Sequence, residues 1–422
     1  MVGARYEGEK VKAVVFTLGC KVNECESDSL MTGLKNIGYQ VSDKLVPADL
    51  YIVNTCAVTA EAEKKSRQTA SRIKKLNPNA KIIFTGCATE KNPKAFSSKS
   101  DDYLVTGVFK KGEILKMLDQ TGERLCENST EFEELLPANT LRARHFVKVQ
   151  DGCNNFCSYC IIPYLRGRNR ARNPESVIAE IKALAPKETV INGINLSAYN
   201  YNGVTLAGLM KSIKGLDTRI RLGSLEVGVI DHEFLSALRE LKDFAQHFHL
   251  SLQSGSDSVL KKMNRHYTAN QYAEKVDLIR EYFPFAGITT DIIAGFPTET
   301  EENFNETLEL IDRVKFSDIH PFPFSPRCGT VAFKMKDLPP EVKKQRLDIL
   351  LEKKHECKQR FSTLMTGKTE RFLFEEFKDG YSQGYSGNYL RLYVEDFIDD
   401  GRIKTVKILK PYKDGAIAQV EE

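Results

Sequence analysis

Three apolar runs near the start of the chain each end in a cysteine, and this pattern restricts the fold more than any other feature. The runs are AVVFTLGC, LYIVNTC and KIIFTGC, and each is followed by a polar segment of helical composition, such as AEAEKKSRQTASRIKKL. Strands that alternate with helices form a parallel sheet whose carboxyl ends gather at one edge. If the three strands are neighbours, Cys20, Cys56 and Cys87 meet at that edge.

A second series of apolar runs follows a linker-like segment and predicts another α/β domain. The acidic stretch CENSTEFEELLPANTLRARH contains the Pro and Asn residues of a linker and places a boundary near residue 140. Six further strand candidates with helical segments between them predict an incomplete (β/α) barrel. They are FVKVQDGC, ETVINGIN, IRLGSLE, HFHLSLQSGSD, GITTDIIAGFP and DIHPFPFSP.

The pattern changes after the basic helical segment EVKKQRLDILLEKKHECKQRFSTLM. The runs GKTERFLFEEF, YSGNYLRLYVE and RIKTVKILKPY alternate apolar and polar residues and are separated by turns such as KDG and DDG, as in a small antiparallel barrel. We therefore predict domains at residues 1–140, 141–365 and 366–422 of an α/β protein.

Cys153, Cys157 and Cys160 lie close together in DGCNNFCSYC. They are disulfide partners, ligands of a metal site with one position open, or buried thiols. The segment MVGARYEGEK is too polar for a secretory signal, so we expect a reducing cytosol, where disulfides are rare. Structural zinc needs four ligands, whereas three cysteines can hold a 4Fe-4S cube and leave one iron open. The position of the three cysteines immediately after the apolar strand FVKV, at the mouth of the predicted barrel, favours such a cluster over zinc or inert thiols.

Basic residues suggest a polyanionic partner, although the net charge is only +4. Charge runs usually face water, but beside a reactive site they can also hold phosphates. No apolar run is long enough for a membrane span, so we expect a cytoplasmic protein without a membrane partner. We predict RNA contacts at seven positions in two groups: Arg166, Arg168, Arg170 and Arg172 beside the cysteines, and Lys404, Lys407 and Lys410 in the last domain.

The cysteine motifs together resemble a known family across the whole chain. GCNNFCSYC is similar to the C-x3-C-x2-C signature of radical S-adenosylmethionine enzymes, and the addition of TLGCKVNECES, VNTCAVT and TGC resembles the methylthiotransferases. The resemblance implies a flavodoxin-like first domain, a partial (β/α)6 TIM-like radical domain and a C-terminal TRAM domain that binds RNA. It also implies two 4Fe-4S clusters, held by two sets of ligands: Cys20, Cys56 and Cys87, and Cys153, Cys157 and Cys160.

The family's chemistry is implied by the same resemblance. The open iron at Cys153, Cys157 and Cys160 would bind S-adenosylmethionine, and one electron from the cluster would release a 5'-deoxyadenosyl radical. The other open iron would hold the sulfur that, once methylated, replaces a hydrogen of the substrate. An electron donor of the flavodoxin or ferredoxin class is then needed. No catalytic residue beyond the cluster ligands is indicated.

Polar residues at the ends of the barrel strands are candidates for holding S-adenosylmethionine. Each of them could equally satisfy backbone groups at a strand end, except that Gly193 would let the backbone approach the adenosine. The candidates are Gly193, Ser224, Glu226, Gln253, Ser254 and Asp291.

The residues after the first cysteine indicate the substrate. Isopentenyladenosine enzymes tend to have Gln-Met-Asn there, ribosomal-protein enzymes Pro-Lys-Asn, and threonylcarbamoyladenosine enzymes Lys-Val-Asn, which is the sequence of Lys21, Val22 and Asn23. This implies modification at carbon 2 of threonylcarbamoyladenosine 37 in the anticodon loop of tRNA. The alternatives are the prenylated base or a ribosomal protein, and, more distantly, a non-catalytic iron-sulfur protein or a zinc-dependent RNA-binding protein.

Overall fold

The computed structural model describes residues 11–97, 102–127, 129–138, 143–398 and 401–421. Two units can be distinguished by their packing, and both are built from separate segments. Unit 1 comprises the described residues of Met1–Leu141, Gln150–Arg172 and Ser325–Thr330. Unit 2 comprises those of Arg142–Val149, Asn173–Phe324 and Val331–Glu422. Across the described ranges, no helix has both the length and the apolarity that a membrane crossing requires.

Unit 1 contains a parallel six-stranded sheet in the order β2-β1-β3-β4-β5-β6. Its strands are β1 (Lys12–Thr17), β2 (Gln40–Ser42), β3 (Leu50–Thr55), β4 (Lys81–Gly86), β5 (Tyr103–Thr106) and β6 (Gly122–Arg124). Its helices are α1 (Lys21–Asn36), α2 (Ala60–Leu76), α3 (Cys87–Lys91) and α4 (Lys94–Ser97), with a 3₁₀ helix at Lys111–Lys116. The first five strands have the flavodoxin order, and the three cysteine-ended strands β1, β3 and β4 are neighbours, which is the condition for their cysteines to meet at one edge.

The sheet of unit 1 is buried on both faces because its strands are continuous apolar runs. One face packs Tyr51, Phe84 and Ile73 into a single core, and the opposite face packs Val15 against Leu34 of α1. Each such side chain contributes roughly 1.5–3 kcal/mol by leaving water. Burial on both faces leaves the carboxyl edge of the sheet as the place where polar groups can collect.

The next strand, β7 (Arg144–Asp151), runs from unit 2 into unit 1. In unit 1 it leads into the segment with three cysteines, followed by α5 (Ile162–Leu165) and β8 (Arg170–Ala171), which pairs antiparallel with the end of β7. Ile161 and Leu165 belong to the same apolar core as Phe84. The segment with Cys153, Cys157 and Cys160 therefore shares a core with the first sheet.

Unit 2 continues the strand-helix alternation with parallel strands. Its strands here are β9 (Glu188–Gly193), β10 (Asn200–Tyr201), β11 (Val204–Thr205), β12 (Arg219–Leu222), β13 (Ser224–Leu225), β14 (His247–Leu250), β15 (Gly287–Ala294) and β16 (Asp318–Pro323). Its helices here are α6 (Pro174–Leu184), α7 (Leu206–Ile213), α8 (His232–Arg239), α9 (Asp257–Lys262), α10 (Ala269–Tyr282) and α11 (Glu301–Val314). Short 3₁₀ helices lie at Leu196–Ala198, Val227–Val229 and Ala332–Lys334.

The parallel strands of unit 2 form two sheets. β9 pairs with β12, and β13, β14, β15 and β16 pair in that order. The run IRLGSLE, predicted as one strand, is divided into β12 and β13 at Gly223, whose amide donates to the carbonyl of Ile191 at 2.8 Å. The α/β class with parallel sheets is confirmed.

The C-terminal part of unit 2 is a closed five-stranded barrel in the order β17-β18-β19-β21-β20. It follows α12 (Pro340–Met365) and consists of β17 (Thr369–Lys378), β18 (Tyr381–Ser386), β19 (Arg391–Val394), β20 (Ile403–Tyr412) and β21 (Gly415–Val420). The predicted small barrel is therefore present, but it includes one parallel pair, β19 with β21, and a last strand that the sequence reading did not identify. This barrel packs within unit 2. The three-domain division stays a prediction.

A buried carboxylate joins the parallel strands of unit 2 to this C-terminal barrel. Glu188 at the start of β9 is fully buried and pairs with Arg144, Arg219 and Arg221. Arg221 also donates to the carbonyls of Ser386 and Gly387 in the small barrel at 3.0 and 3.1 Å. Burial alone would raise the pKa of Glu188, but the three guanidinium groups lower it to about 2.

Substitution of Glu188 by glutamine is expected to lower the free energy of unfolding by about 3–5 kcal/mol, because it leaves buried arginines without a counter-charge. Urea denaturation, followed by fluorescence or circular dichroism, measures this change. The folded pKa lies below the unfolded one, so the stabilisation is complete above about pH 4.3 and is lost as the pH falls toward 2. The loss should therefore be constant between pH 5 and 8. Glu240→Gln, at an exposed pair with Lys214, should change stability by less than about 0.5 kcal/mol.

Candidate metal centres

The set of Cys20, Cys56 and Cys87 follows three neighbouring strands at one edge of the sheet in unit 1. Cys20 lies after β1 as the N-cap of α1, Cys56 follows β3, and Cys87 follows β4 as the first residue of α3. Cys20 is exposed, whereas Cys56 and Cys87 are buried. The edge predicted from the sequence therefore exists, with thiols at the beginning of two helices.

The chain approaches itself closely at this edge. Gly19 has φ +113°, and a Cβ there would lie 3.0 Å from Sγ of Cys56, so a side chain at this position would crowd the thiol. The backbone amide of Val58 also donates to Sγ of Cys56 at 3.5 Å. Burial raises the pKa of Cys56 to about 12, and the neighbouring thiols of Cys87 and Cys20 add to this rise. A metal that displaces the proton would relieve this cost.

The second set of cysteines lies on the loop between β7 and α5. The amide of Cys153 donates to the carbonyl of Gly167 at 3.1 Å, and the amide of Cys160 donates to the carbonyl of Cys157 at 2.9 Å. Gly152 has φ +70°, and a Cβ there would lie 1.9 Å from the carbonyl oxygen of Arg168, so only glycine fits. The loop is thus closed on itself by backbone bonds, independently of the thiols.

The two sets belong to the same compact unit, because unit 1 includes both the first sheet and the described residues of Gln150–Arg172. Within the described residues, no group of three or more His, Cys, Asp or Glu side chains is arranged to hold a single metal ion. A 4Fe-4S cube spaces its cysteine ligands around four irons rather than around one. The features that fit such a cube are the three thiols at one sheet edge, the backbone donor to Cys56 and the basic side chain beside Cys87, described next.

Arg166 is fully buried beside the first set of cysteines. Its Nε donates to Sγ of Cys87 at 3.4 Å, Nη1 donates to Glu26 at 2.9 Å and to Asp151 at 3.1 Å, and Nη2 donates to Oδ1 of Asn23 at 2.7 Å. Glu26 is also paired with the buried Lys111. Four partners from distant parts of the sequence therefore hold one guanidinium group.

The placement of Arg166, Arg170 and Arg172 differs from the prediction that they contact RNA. All three are buried, and each pairs with a carboxylate of unit 1: Arg166 and Arg170 with Asp151, and Arg172 with Glu134. These ion pairs neutralise the guanidinium charges within unit 1, so the structure does not present these groups to a polyanion. The missing information was the position of the acidic partners, which are as many as 140 residues away in the sequence.

The remaining basic candidates stay at the surface. Arg168 is exposed and stacks on Phe156 at 4.6 Å, and Phe156 in turn contacts Tyr164 edge-on at 5.3 Å. These three line a cavity of about 540 Å³ together with hydroxyl and amide groups: Ser129, Thr130 and Asn169. On β20, Lys407 and Lys410 are exposed and Lys404 is half-buried.

The candidates for S-adenosylmethionine lie at or near the carboxyl ends of the parallel strands in unit 2. Gly193 ends β9, Ser224 begins β13, and Asp291 lies within β15. Glu226 directly follows β13, while Gln253 and Ser254 come after β14. The structure thus places five of the six on the adjacent strands β13, β14 and β15 or on the segments that leave them, and Gly193 at the end of β9 in the other sheet.

Backbone bonds bring two of these candidates together. Gln253 has φ +71°, its amide donates to the carbonyl of Asp291 at 2.8 Å, and its own carbonyl accepts from Ile293 at 2.9 Å. Ser254 is buried with its hydroxyl 3.4 Å from that of Thr307. Ser254 is therefore placed for packing between β14 and α11.

Two ionisable residues near these strand ends, one arginine and one histidine, were not identified from the sequence. Arg265 donates to Glu226 at 2.6 Å and to the carbonyl of Ser251 at 3.0 Å, and His249 lies 3.3 Å from the carboxylate of Asp291. Each pairs with one of the predicted carboxylates. The sequence contains no motif around either residue, so only the paired geometry could reveal them.

Comparisons with known proteins cover both units. Residues 147–311 match the model of the Radical SAM superfamily, and residues 12–107 match that of the Uncharacterized protein family UPF0004. The chain is 37% identical to the threonylcarbamoyladenosine tRNA methylthiotransferase MtaB of Aquifex aeolicus (strain VF5), covering 94% of this chain and 100% of the relative. It is 35% identical to the tRNA-2-methylthio-N(6)-dimethylallyladenosine synthase of Thermoanaerobacter sp. (strain X514), covering 95% and 91% respectively.

Solved structures share the fold at low sequence identity. The radical S-adenosylmethionine methyltransferase TsrM from Kitasatospora setae, with cobalamin and a 4Fe-4S cluster bound, matches with a TM-score of 0.53 and 14% identity, over 75% of this chain and 72% of that chain. The cobalamin-dependent S-adenosylmethionine radical enzyme OxsB matches with a TM-score of 0.54 and 13% identity, over 83% and 56% respectively. At these identities the likeness concerns the fold alone.

Proposed function

The chain belongs to the radical S-adenosylmethionine methylthiotransferase family, and on that premise we propose that it converts N6-threonylcarbamoyladenosine 37 of tRNA into its 2-methylthio derivative. The cofactors of this enzyme are S-adenosylmethionine and 4Fe-4S clusters, one of them held by Cys153, Cys157 and Cys160 and a second by Cys20, Cys56 and Cys87. The reaction belongs to the cytoplasm, where tRNA is found, and takes its electrons from a flavodoxin-like or ferredoxin-like donor.

The choice of base rests on Lys21-Val22-Asn23, because the overall sequence identity of this chain to relatives named for the two bases differs very little. Relatives named for threonylcarbamoyladenosine are 36–37% identical, and those named for dimethylallyladenosine are 34–35% identical. Asn23, which the three family motifs share, is used internally: its amide donates to the carbonyls of Leu18 and Thr55 at 2.8 and 3.1 Å. Val22 is buried as well, so Lys21, which is half-buried, is the position of this motif whose side chain can contact the base, and Val22 can act only through packing.

The residues of this chain supply binding and orientation. When bound, the cofactors provide the radical and the sulfur. The closed loop around Cys153 fixes the backbone of three ligands, and Cys56 and Cys87 are buried at the edge of the sheet while Cys20 is exposed. The carboxylate of Glu226 and the backbone of Gln253 lie at strand ends where a charged cofactor can be oriented. The amino-acid appendage of the proposed base is anionic, so a cationic side chain such as that of Lys21 would complement it.

Two surfaces are proposed to hold the RNA. The cavity at Phe156, Tyr164 and Arg168 offers aromatic faces and a guanidinium plane, on which an unpaired base can stack. The closed barrel of β17–β21 is proposed as a TRAM domain, with Lys407 and Lys410 exposed toward the phosphates. Arg166, Arg170 and Arg172 have no place in either surface, since they are buried.

Exchange of the two variable motif residues tests the choice of base. In the variant Lys21→Gln with Val22→Met, we expect kcat/KM for threonylcarbamoyladenosine tRNA to fall at least about tenfold, the size of one charge-assisted hydrogen bond. Formation of 5'-deoxyadenosine should persist. Purified enzyme, reduced anaerobically, is assayed side by side on tRNA with each modified base and on ribosomal protein, with nucleosides and peptides analysed by mass spectrometry.

The control is Lys35→Gln, which removes an exposed lysine from the other end of α1 and should leave kcat/KM unchanged. If the wild-type enzyme methylthiolates the prenylated base or the ribosomal protein instead, the assignment of substrate is wrong. Equal loss in both variants would indicate a general effect of charge on α1 and not recognition of the base.

A further inference from the structure

We propose that Arg166 is a positioning residue that connects the two cysteine sets, because its side chain contacts one set and the backbone of the next residue, Gly167, contacts the other. The guanidinium donates through Nε to Sγ of Cys87 at 3.4 Å. The next residue, Gly167, accepts from the amide of Cys153 at 3.1 Å. One dipeptide of unit 1 therefore touches a predicted ligand in each set. This inference rests on the proposed ligands of the two clusters.

The ion pairs of Arg166 make this contact rigid. The guanidinium is fully buried and is fixed by Glu26 from α1, Asp151 from the end of β7 and Oδ1 of Asn23. Lys111, also buried, pairs with the same carboxylate of Glu26. A guanidinium with this many partners cannot rotate away from Sγ of Cys87 without leaving buried carboxylates unpaired, which costs several kcal/mol.

The contact with Cys87 has a defined electronic consequence. A cluster gains negative charge when it is reduced, and a hydrogen bond from a cation to one of its ligand sulfurs stabilises that charge more in the reduced state. Arg166 should therefore raise the reduction potential of the cluster at Cys20, Cys56 and Cys87. It should leave the potential of the other cluster nearly unchanged, because the contact with Cys153 is made by the neutral backbone carbonyl of Gly167 and not by the guanidinium.

Redox titration of the full chain tests this effect. The variant Arg166→Gln with Glu26→Gln removes one buried positive and one buried negative charge, so that the net charge of the group is preserved. We expect the midpoint potential of the cluster at Cys20, Cys56 and Cys87 to become more negative, while that of the other cluster stays at the wild-type value. Potentials are followed by electron paramagnetic resonance, and each signal is assigned in a variant that lacks the other set of cysteines.

A matched pair provides the control. Lys81→Gln with Asp102→Asn removes an ion pair of 3.0 Å at the opposite end of β4 from Cys87, and both potentials should match the wild type. If the double variant at Arg166 is insoluble, Arg166→Lys keeps the charge but lacks the guanidinium fork, and it should still shift the same potential in the same direction.

Two results would overturn the inference, and they are distinguishable from failure of the proposed function. A variant with full iron content and wild-type potentials would show that Arg166 only packs the unit. Equal shifts of both potentials would show a general change in unit 1. Wild-type protein that binds a single cluster would instead refute the proposed second ligand set, and this inference with it.

Discussion

Replacement of Cys157 by alanine is expected to reduce the formation of 5'-deoxyadenosine from S-adenosylmethionine to the background rate. The variant should also lose the iron of one cluster and retain that of the other. The reason is that a cube held by three thiolates is not retained by two. The loop itself should keep its conformation, because the amide of Cys160 donates to the backbone carbonyl of residue 157, which does not depend on the side chain there. Iron analysis, electron paramagnetic resonance and chromatography of the products provide the measurement.

The control for this variant is Cys328→Ala, which removes an exposed thiol of unit 1 that belongs to neither set. It should bind both clusters and form 5'-deoxyadenosine at the wild-type rate. Undiminished 5'-deoxyadenosine in the Cys157 variant would refute the assignment of Cys153, Cys157 and Cys160 as the ligands at which S-adenosylmethionine is cleaved.

The second large effect concerns the set at the sheet edge. Replacement of Cys20, Cys56 and Cys87 together by alanine is expected to abolish the methylthio product while 5'-deoxyadenosine is still formed, if this cluster carries the sulfur. Nucleoside analysis of tRNA and limited proteolysis are both needed. A cluster with a purely structural role predicts a different outcome, because loss of a metal that joins three strand ends should make unit 1 sensitive to protease.

The matched control replaces three cysteines outside both sets, Cys126, Cys328 and Cys357, by alanine, and it should still form the methylthio product. Protease-resistant protein with alanine at 20, 56 and 87 that still produces methylthio-modified tRNA would rule out the role in sulfur transfer. The sequence alone suggested that the two sets have separate cores. The structure places both in unit 1, so survival of the second cluster depends on the backbone closure of its own loop and on the ion pairs of Arg166.

Local patterns predicted the elements of this chain well where the signal lies within one segment. The segment AEAEKKSRQTASRIKKL matches α2 at both ends, because Thr59 caps the helix by accepting from the amide of Ala62 and acidic residues occupy the first turn. The three cysteine-ended runs became neighbouring strands for a similar reason, since continuous apolar strands must lie inside a parallel sheet. These features depend on residues close together in the sequence.

Features that depend on distant partners were not predictable in the same way. RGRNRAR is polar enough to face water, and nothing in the run shows that Glu26, Asp151 and Glu134 neutralise three of its arginines inside unit 1. The division of IRLGSLE at Gly223 depends on a carbonyl of β9, which is 32 residues earlier in the sequence. Pairing between remote residues therefore limits what one sequence can show about the candidate site.

The discontinuity of unit 1 has a consequence for recombination between relatives. A crossover near residue 140, at the domain boundary predicted from the sequence, would separate Glu26 and Cys87 from Arg166, which belongs to the second segment of the same unit. Chimeras that exchange base specificity with another branch should instead transplant three segments together, corresponding to residues 1–141, 150–172 and 325–330. Chimeras divided at that boundary would combine the guanidinium of one parental protein with the carboxylates and thiols of another. Only parental proteins with matching ion pairs should therefore give soluble chimeras.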